Sequence, residues 1–286
     1  MTQNNNFSVL PWYLKLDEQN HRKSYSYGDI YPLFTPLGNL LPFQIQRATR
    51  ENGIVSAVIY SKDGRPVMDF TDRLQETGLR IVRFPELGYD IIVYPGNINM
   101  DLPVEEGMYY SAISDGTDTF YSDIFTWVSN TDGYLKVEWH DEENLVFDAG
   151  QIVYENPFFR NVIYLCAELG KPDYSFDEEG ETRDGYYFNE KQISEKTYKF
   201  NFLAPEYLCD VMRFIRMSDF VTVTDKYGRR YHCDTFLITP KWETQGNLAS
   251  VECEFQTDTV VKKIGRALHN TATGDYNNDF NNDFLI

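Results

Sequence analysis

The sequence predicts a mainly β protein: an N-terminal Ig-like β-sandwich followed by an α+β domain in which one helix packs on an antiparallel sheet. Three observations carry that expectation. The chain holds 21 Tyr and 20 Phe in 286 residues, an aromatic share of 16%, and such rings favour strands and contact surfaces. Short alternating or apolar runs recur between Gly, Pro, Asn and Asp punctuation. Against them stands one clear 3.6-residue period, in residues 205–216. A chain of this length suits two domains of ordinary size.

Residues 1–40 mix rings with breakers, as in Pro11-Trp12-Tyr13, Tyr25-Ser26-Tyr27-Gly28 and Tyr31-Pro32. They read as an irregular segment, either a loop covering the first domain or an arm that orders against a neighbouring subunit. The sandwich is placed at 41–128. Its strands are expected at Leu41–Gln46, Ile54–Tyr60, Leu79–Phe84 and Ile91–Tyr94, with Lys62-Asp63-Gly64 and Pro95-Gly96-Asn97 as turns. Only Asp69–Gly78 suits a turn of helix. The stretch Tyr109–Trp139 then reads as a joint: aromatic strands flank Asp115-Gly116, and a further strand follows Thr131-Asp132-Gly133, so a hairpin closes one domain and hands the chain to the next.

The α+β domain is placed at 129–266, with strands at 134–140 and Phe158–Leu165. Residues 168–190 form a polar insertion, an exposed hairpin arm or loop. In Lys196–Leu203, alternation puts Tyr198, Phe200 and Phe202 on one face of a strand. Pro205 then suits a first helical position, Glu206 suits the amino-terminal dipole, and Leu208, Val211, Met212 and Ile215 share one helical face. Phe220–Thr224 and Arg229–Cys233 are expected to pair around Asp225-Lys226-Tyr227-Gly228, and strands near 235–242 and 248–256 complete the sheet. Residues 267–286 repeat Asn-Asn-Asp-Phe in succession. This tail reads as disordered, or as a docking peptide that inserts Phe280, Phe284 and Ile286 into a partner.

Composition excludes several function classes. With 26 Lys and Arg against 44 Asp and Glu, the formal charge is −18. Electrostatic capture of nucleic acid needs clustered cations, and no basic stripe is present. The amino terminus lacks the basic start and apolar run of a signal peptide, and no apolar stretch reaches membrane-spanning length, so synthesis in a cytoplasm is expected. Cys166, Cys209, Cys233 and Cys253 are dispersed, which favours buried free thiols over zinc ligands or a disulfide framework.

Chemistry finds little purchase. Glu178-Glu179 and Asp141-Glu142 are acid pairs of the kind hydrolases use, but on polar loops such pairs are ordinary solvating charge. His21, His140, His232 and His269 show no metal-binding spacing, and His140 and His232 sit in strand patterns. Asp115-Gly116-Thr117-Asp118 and 275–283 offer oxygen ligands without a calcium loop's closing Glu, and Asp115-Gly116 is better explained as a turn. No catalytic, cofactor or metal site is therefore assigned, and no enzymatic activity is expected. Sugar stacking on Trp12, Trp127, Trp139 or Trp242 is the competing reading, although Trp127 and Trp139 fall within strand patterns.

Phe120-Tyr121-Ser122-Asp123-Ile124-Phe125, the run Lys191–Phe200, Ala204-Pro205-Glu206-Tyr207-Leu208-Cys209 and Leu248-Ala249-Ser250-Val251-Glu252 resemble a group of virion proteins encoded by phages and prophages of gut Bacteroidetes, including the crAss-like phages. The likeness covers about half the chain and is strongest in the second domain, and the Asn-rich tail lies outside it. It implies a tail or neck building block with no enzymatic residues to carry over: a virion protein that forms a ring or hub with copies of itself and meets neighbouring tail or portal-proximal proteins. Segments 1–36, 168–190 and 267–286 are the expected contacts, with Trp12, Tyr13, Tyr25, Tyr27, Tyr31, Tyr186, Tyr187, Phe280, Phe284 and Ile286 as interface residues. A carbohydrate-binding β-sandwich module is the alternative.

Overall fold

The computed structural model describes residues 8–16, 33–96, 104–141, 145–147, 150–152, 159–243 and 248–263. Among the described residues the protein is mainly β, 57% strand against 10% helix. By contacts it divides into two units: Met1–Asp173 with Thr197–Thr257, and Tyr174–Lys196 with Asp258–Ile286. Residues 41–128 and most of 129–266 thus fall in the same unit. Among the described residues no helix is long and apolar enough to cross a membrane.

The larger unit begins with a seven-stranded sheet centred on β8 (Gly107–Ser114). One edge of β8 pairs with β4 (Ser56–Ser61), which pairs in turn with β5 (Pro66–Asp69). Its other edge is shared by β9 (Thr119–Ser122) and β10 (Phe125–Val128). With both edges and both faces covered, Tyr109 to Ile113 are all buried. The outermost partners come from the segment expected to be irregular: β1 (Trp12–Tyr13) runs antiparallel to β9, and β2 (Leu33–Pro36) runs parallel to β10. The described parts of residues 1–40 are thus woven into the sheet, because Val9, Leu10, Trp12 and Leu33 go inside with it.

A second sheet, in the order β3 (Phe43–Ala48), β7 (Tyr89–Tyr94), β6 (Arg80–Phe84), contributes Phe43, Ile45, Ile92 and Tyr94 to the same core as Ile59, Ile113 and Trp127. Phe43 touches Trp12 at a centroid distance of 4.5 Å and Tyr94 at 5.2 Å. Helix α1 (Thr71–Glu76) plugs Leu74 into this core, and the Thr71 side-chain oxygen accepts the Ala57 N–H at 2.8 Å, tying the helix to β4. At the Pro95-Gly96 turn, Gly96 has φ +65°, and a Cβ there would lie 2.6 Å from the Pro42 backbone nitrogen. Gly96→Ala is expected to cost about 1–3 kcal/mol in a urea titration; an unchanged midpoint would mean the turn rearranges freely.

The core continues without a break into the next sheet, ordered β14 (Asn161–Leu165), β11 (Leu135–His140), β17 (Phe220–Thr224), β18 (Arg230–Cys233). Val137 lies opposite both Ile163 and Val223, and all three are buried. A two-stranded ribbon joins β12 (Leu145–Phe147) to β13 (Gly150–Ile152). The fourth sheet runs β15 (Asp173–Arg183), β16 (Tyr186–Ala204), β20 (Ala249–Lys263), β19 (Thr235–Trp242). As alternation predicts, Tyr198, Phe200 and Phe202 are buried on one face of β16, and Val251, Cys253 and Phe255 on one face of β20. Tyr198 stacks on Phe255 at 5.5 Å.

Helix α2 (Glu206–Met212) follows β16. Pro205 has extended backbone (ψ 163°) and so caps the helix from outside. The helix is shorter than its period predicts, yet the chain continues in a 3-10 turn, Ile215–Met217, that brings Ile215 to the same buried side as Leu208 and Met212. All four cysteines are free, but burial is confined to Cys253; Cys166 is exposed and Cys209 and Cys233 are half-buried, which corrects the expectation of four interior thiols. Burial pushes the Cys233 thiol up to about 12 and raises those of Cys209 and Cys253. Iodoacetamide is expected to label native Cys166 roughly tenfold or more faster than Cys253; equal rates by peptide mass spectrometry would contradict this packing.

In the smaller unit the alternation of buried with outward positions stops. From Tyr174 to Gly180 every residue of β15 is exposed, as is each of residues 258–262 of β20. No described residue between Tyr174 and Lys196, or beyond Thr257, belongs to a hydrophobic core. The hairpin turn is Asp184-Gly185, both at positive φ (51° and 83°), the two-residue Asp-Gly chemistry that tightly joined strands favour. The expected 168–190 insertion is therefore an extension of existing strands, since β16 runs through from Tyr186 to Ala204.

Candidate functional site

The described residues contain three polar assemblies, and each has a structural explanation. The most enclosed surrounds the Asp115 carboxylate, which accepts from Arg47 Nη1 at 2.8 Å, Arg50 Nη1 at 3.0 Å, and the backbone N–H groups of Thr117 and Asp118 at 2.9 and 2.8 Å. Arg50 Nη2 also donates to Asp118 at 2.6 Å. Arg47 donates to the Asn52 carbonyl at 2.6 Å and faces Asp90 at 3.7 Å. The side chains of Arg47, Asp90 and Asp115 have no exposed surface. Two guanidinium groups occupy the carboxylate a cation would need, so the Asp115-Gly116-Thr117-Asp118 turn pins β8 and β9 to the loop after β3. Burial drives the Asp115 carboxyl upward, but the Asp118 and Thr117 amides and then Arg47 and Arg50 outweigh it, leaving its pKa below the ordinary range.

The second assembly closes the β17–β18 hairpin. Asp225 accepts the N–H groups of Tyr227 and Arg229, at 2.9 and 3.0 Å, and the Arg229 guanidinium at 2.8 and 2.7 Å. The third is Asp141, expected on a solvated loop but buried, where it accepts the Asp219 N–H at 2.9 Å; burial raises its pKa. The Glu178-Glu179 pair is engaged across the hairpin, Glu178 with Gln192 at 2.9 Å and Glu179 with Lys191 at 3.1 Å. His140 sets its ring edge-on to Phe220 at 4.9 Å, and His232 lies 3.2 Å from the Thr222 hydroxyl. No group of three or more His, Cys, Asp or Glu side chains among the described residues is arranged to hold a metal.

The expected contact rings separate sharply. Trp12 is only 2% exposed and packs on Phe43, so this ring is core and offers no outward surface. Tyr13 is half-buried in β1. Tyr25, Tyr27, Tyr31, Phe280, Phe284 and Ile286 lie outside the described residues. Tyr186 and Tyr187 are 72% and 55% exposed on β16. Away from the hairpin tip, where the register of Ser175 with Glu195 and of Glu179 with Lys191 places them, the structure adds Tyr174 and Phe176 of β15, 62% and 76% exposed, and Val260 and Val261 of β20. Sequence reading passed over Tyr174 and Phe176 because they open a run of acids; the signal was their i, i+2 spacing ahead of an Asp-Gly turn. Of the four tryptophans, Trp127 and Trp139 are also buried, and Trp242 alone is open, at 47%.

No protein-family model matches the chain, and no curated protein is significantly similar to it. The candidate site is accordingly defined by its own surface: a sheet of the smaller unit carrying six exposed aromatic and valine side chains among acidic ones.

Proposed function

We propose that this chain is a structural subunit of a tailed-phage virion, a tail or neck ring or hub component that assembles with copies of itself and with neighbouring tail proteins, and that it catalyses no reaction. The observation that carries the reading is the hairpin sheet of the smaller unit, whose exposed aromatic and valine side chains gain burial only against another surface. The resemblance over 120–265 supplies the virion context. A charge of −18 supports a wall that nucleic acid passes without adhering. The shared core of the seven- and three-stranded sheets supports the finer fold reading of an N-terminal Ig-like sandwich.

Mass spectrometry of purified particles of the encoding phage is expected to find the chain in multiple copies per virion, with imaging placing it in the tail or neck. Its absence from particles would overturn the proposal. The sugar-binding alternative now rests on Trp242, and Trp242→Ala tested on a glycan array measures it.

A further inference from the structure

The loop between β3 and β4 carries the chain's single Asn-Gly pair, Asn52-Gly53, and both residues are exposed. The loop around the pair is tied down. Thr49 N–H donates to the Gly88 carbonyl at 3.3 Å, Arg50 N–H to the Asp90 carboxylate at 3.1 Å, and the Glu51 carbonyl accepts from Arg83 at 3.3 Å. The two reactive groups are not: among the described residues, neither the Asn52 side-chain amide nor the Gly53 N–H has a hydrogen-bond partner. Between them stands one strong contact. The Asn52 main-chain carbonyl accepts from Arg47 Nη2 at 2.6 Å, and the Arg47 side chain has no exposed surface.

These are the parts of a cyclisation. When hydroxide takes the Gly53 N–H proton, the nitrogen attacks Asn52 Cγ and closes a succinimide ring. The N–Cγ bond forms, the Cγ–Nδ2 bond breaks, and the departing group takes a proton from water and leaves as ammonia. Water then opens the ring at either carbonyl, giving aspartate or isoaspartate with no change of oxidation state. Glycine permits the attack because no Cβ shields its nitrogen. Arg47 is what the fold adds. The negative charge of the deprotonated 52–53 peptide sits largely on the Asn52 carbonyl oxygen, and a buried guanidinium already aimed at that oxygen stabilises the charge as it develops. Arg47 Nη1 stays with Asp115, which keeps Nη2 in place. Opening toward isoaspartate frees that same carbonyl as a carboxylate, so Arg47 meets a counter-charge in the product as well.

We propose that Asn52-Gly53 is a site of self-modification, converted to isoaspartate and aspartate in the folded chain, with Arg47 promoting the step through the peptide oxygen. The event is stoichiometric and irreversible, and it is independent of the virion reading. It turns a neutral exposed position into a negative one. In the isoaspartyl form it also adds a methylene to the main chain at the point where Arg47 holds the loop after β3.

The full chain is incubated folded at mildly alkaline pH, alongside a sample in guanidinium chloride. Each asparagine is followed by peptide mass spectrometry with fragmentation that separates isoaspartate from aspartate. Asn52 is expected to convert before any other described asparagine, giving both products, and roughly tenfold or more faster folded than denatured. The comparison isolates Arg47: a purely bracing role predicts the reverse order, because unfolding frees the loop. Gly53→Ala is the companion variant. A Cβ at Gly53 meets nothing within 4 Å and the backbone there is not left-handed. The variant is therefore expected to fold as wild type, by circular dichroism and melting, and to convert about tenfold or more slowly. An Asn52 that stays intact in the folded chain, or that converts as fast or faster in denaturant, overturns the inference. So does aspartate without isoaspartate, or a Gly53→Ala chain that converts at the wild-type rate, since either result means that water attacks the side chain directly.

Discussion

Asp115→Ala is expected to destabilise the protein by about 3–5 kcal/mol, the range for removing one partner of a fully buried ionic network. The loss has two parts. Arg47, without exposed surface, would face the interior without its closest counter-charge, and the amides of Thr117 and Asp118 would lose their acceptor. Asp115→Asn keeps an acceptor for those amides and is expected to fall between the alanine variant and wild type. The pH dependence follows from the same geometry. A carboxyl whose folded pKa lies below its unfolded value adds stability above the ordinary carboxylate range and loses it as pH falls through the folded value. Asp225, which burial raises but the amides and guanidinium of its turn lower further, acts in the same direction. Urea titrations between neutral and acid pH should show a shallower acid limb for Asp115→Asn than for wild type. A neutral-pH change under about 1 kcal/mol for the alanine variant would mean that the cluster is not what holds this turn.

Trp127→Ala is the second large effect, about 3–5 kcal/mol by the usual cost of deleting a buried ring. The indole has no exposed surface, lies 4.8 Å from the Tyr109 ring and 5.3 Å from Phe125, and donates Nε1–H to the Asn39 carbonyl at 2.6 Å. That last bond joins β10 to the turn after β2, so the cavity opens where a distant strand is anchored. Trp127→Phe isolates the hydrogen bond; with most of the volume retained, its expected cost is about 1–3 kcal/mol. Equal midpoints for the two variants would place the whole effect in the lost hydrogen bond.

What the sequence makes legible is whatever one element decides alone. Alternation in Tyr198, Phe200 and Phe202 locates a strand and its inner face, because period-2 spacing needs no partner to be recognised. The Asp225–Gly228 turn pairs β17 with β18 in the expected place, because turn chemistry is local. β1 and β2 were illegible for the opposite reason. Two and four residues long among prolines and rings, they are strands only because β9 and β10 offer edges to them. The Asp115 cluster likewise joins Arg47 to a carboxylate 68 residues away, and nothing in either neighbourhood announces the other. At the candidate site, Tyr186 and Tyr187 were recognisable as exposed rings. Phe176 was hidden by the acids that follow it, and Trp12 misled because a ring beside a proline resembles a loose arm until its β9 partner is known.

The parallel seating of β2 against β10 has a consequence for how the molecule is made. During synthesis Leu33 leaves the ribosome well before Phe125, the residue opposite it, has been translated. Trp12 waits similarly for Ser122. The nascent strands β1 and β2 therefore carry their apolar side chains unsheltered until residue 128 emerges, and closing so long a loop is slow. Chaperone dependence during translation, and aggregation of fragments that stop short of residue 119, are the expected marks of that delay.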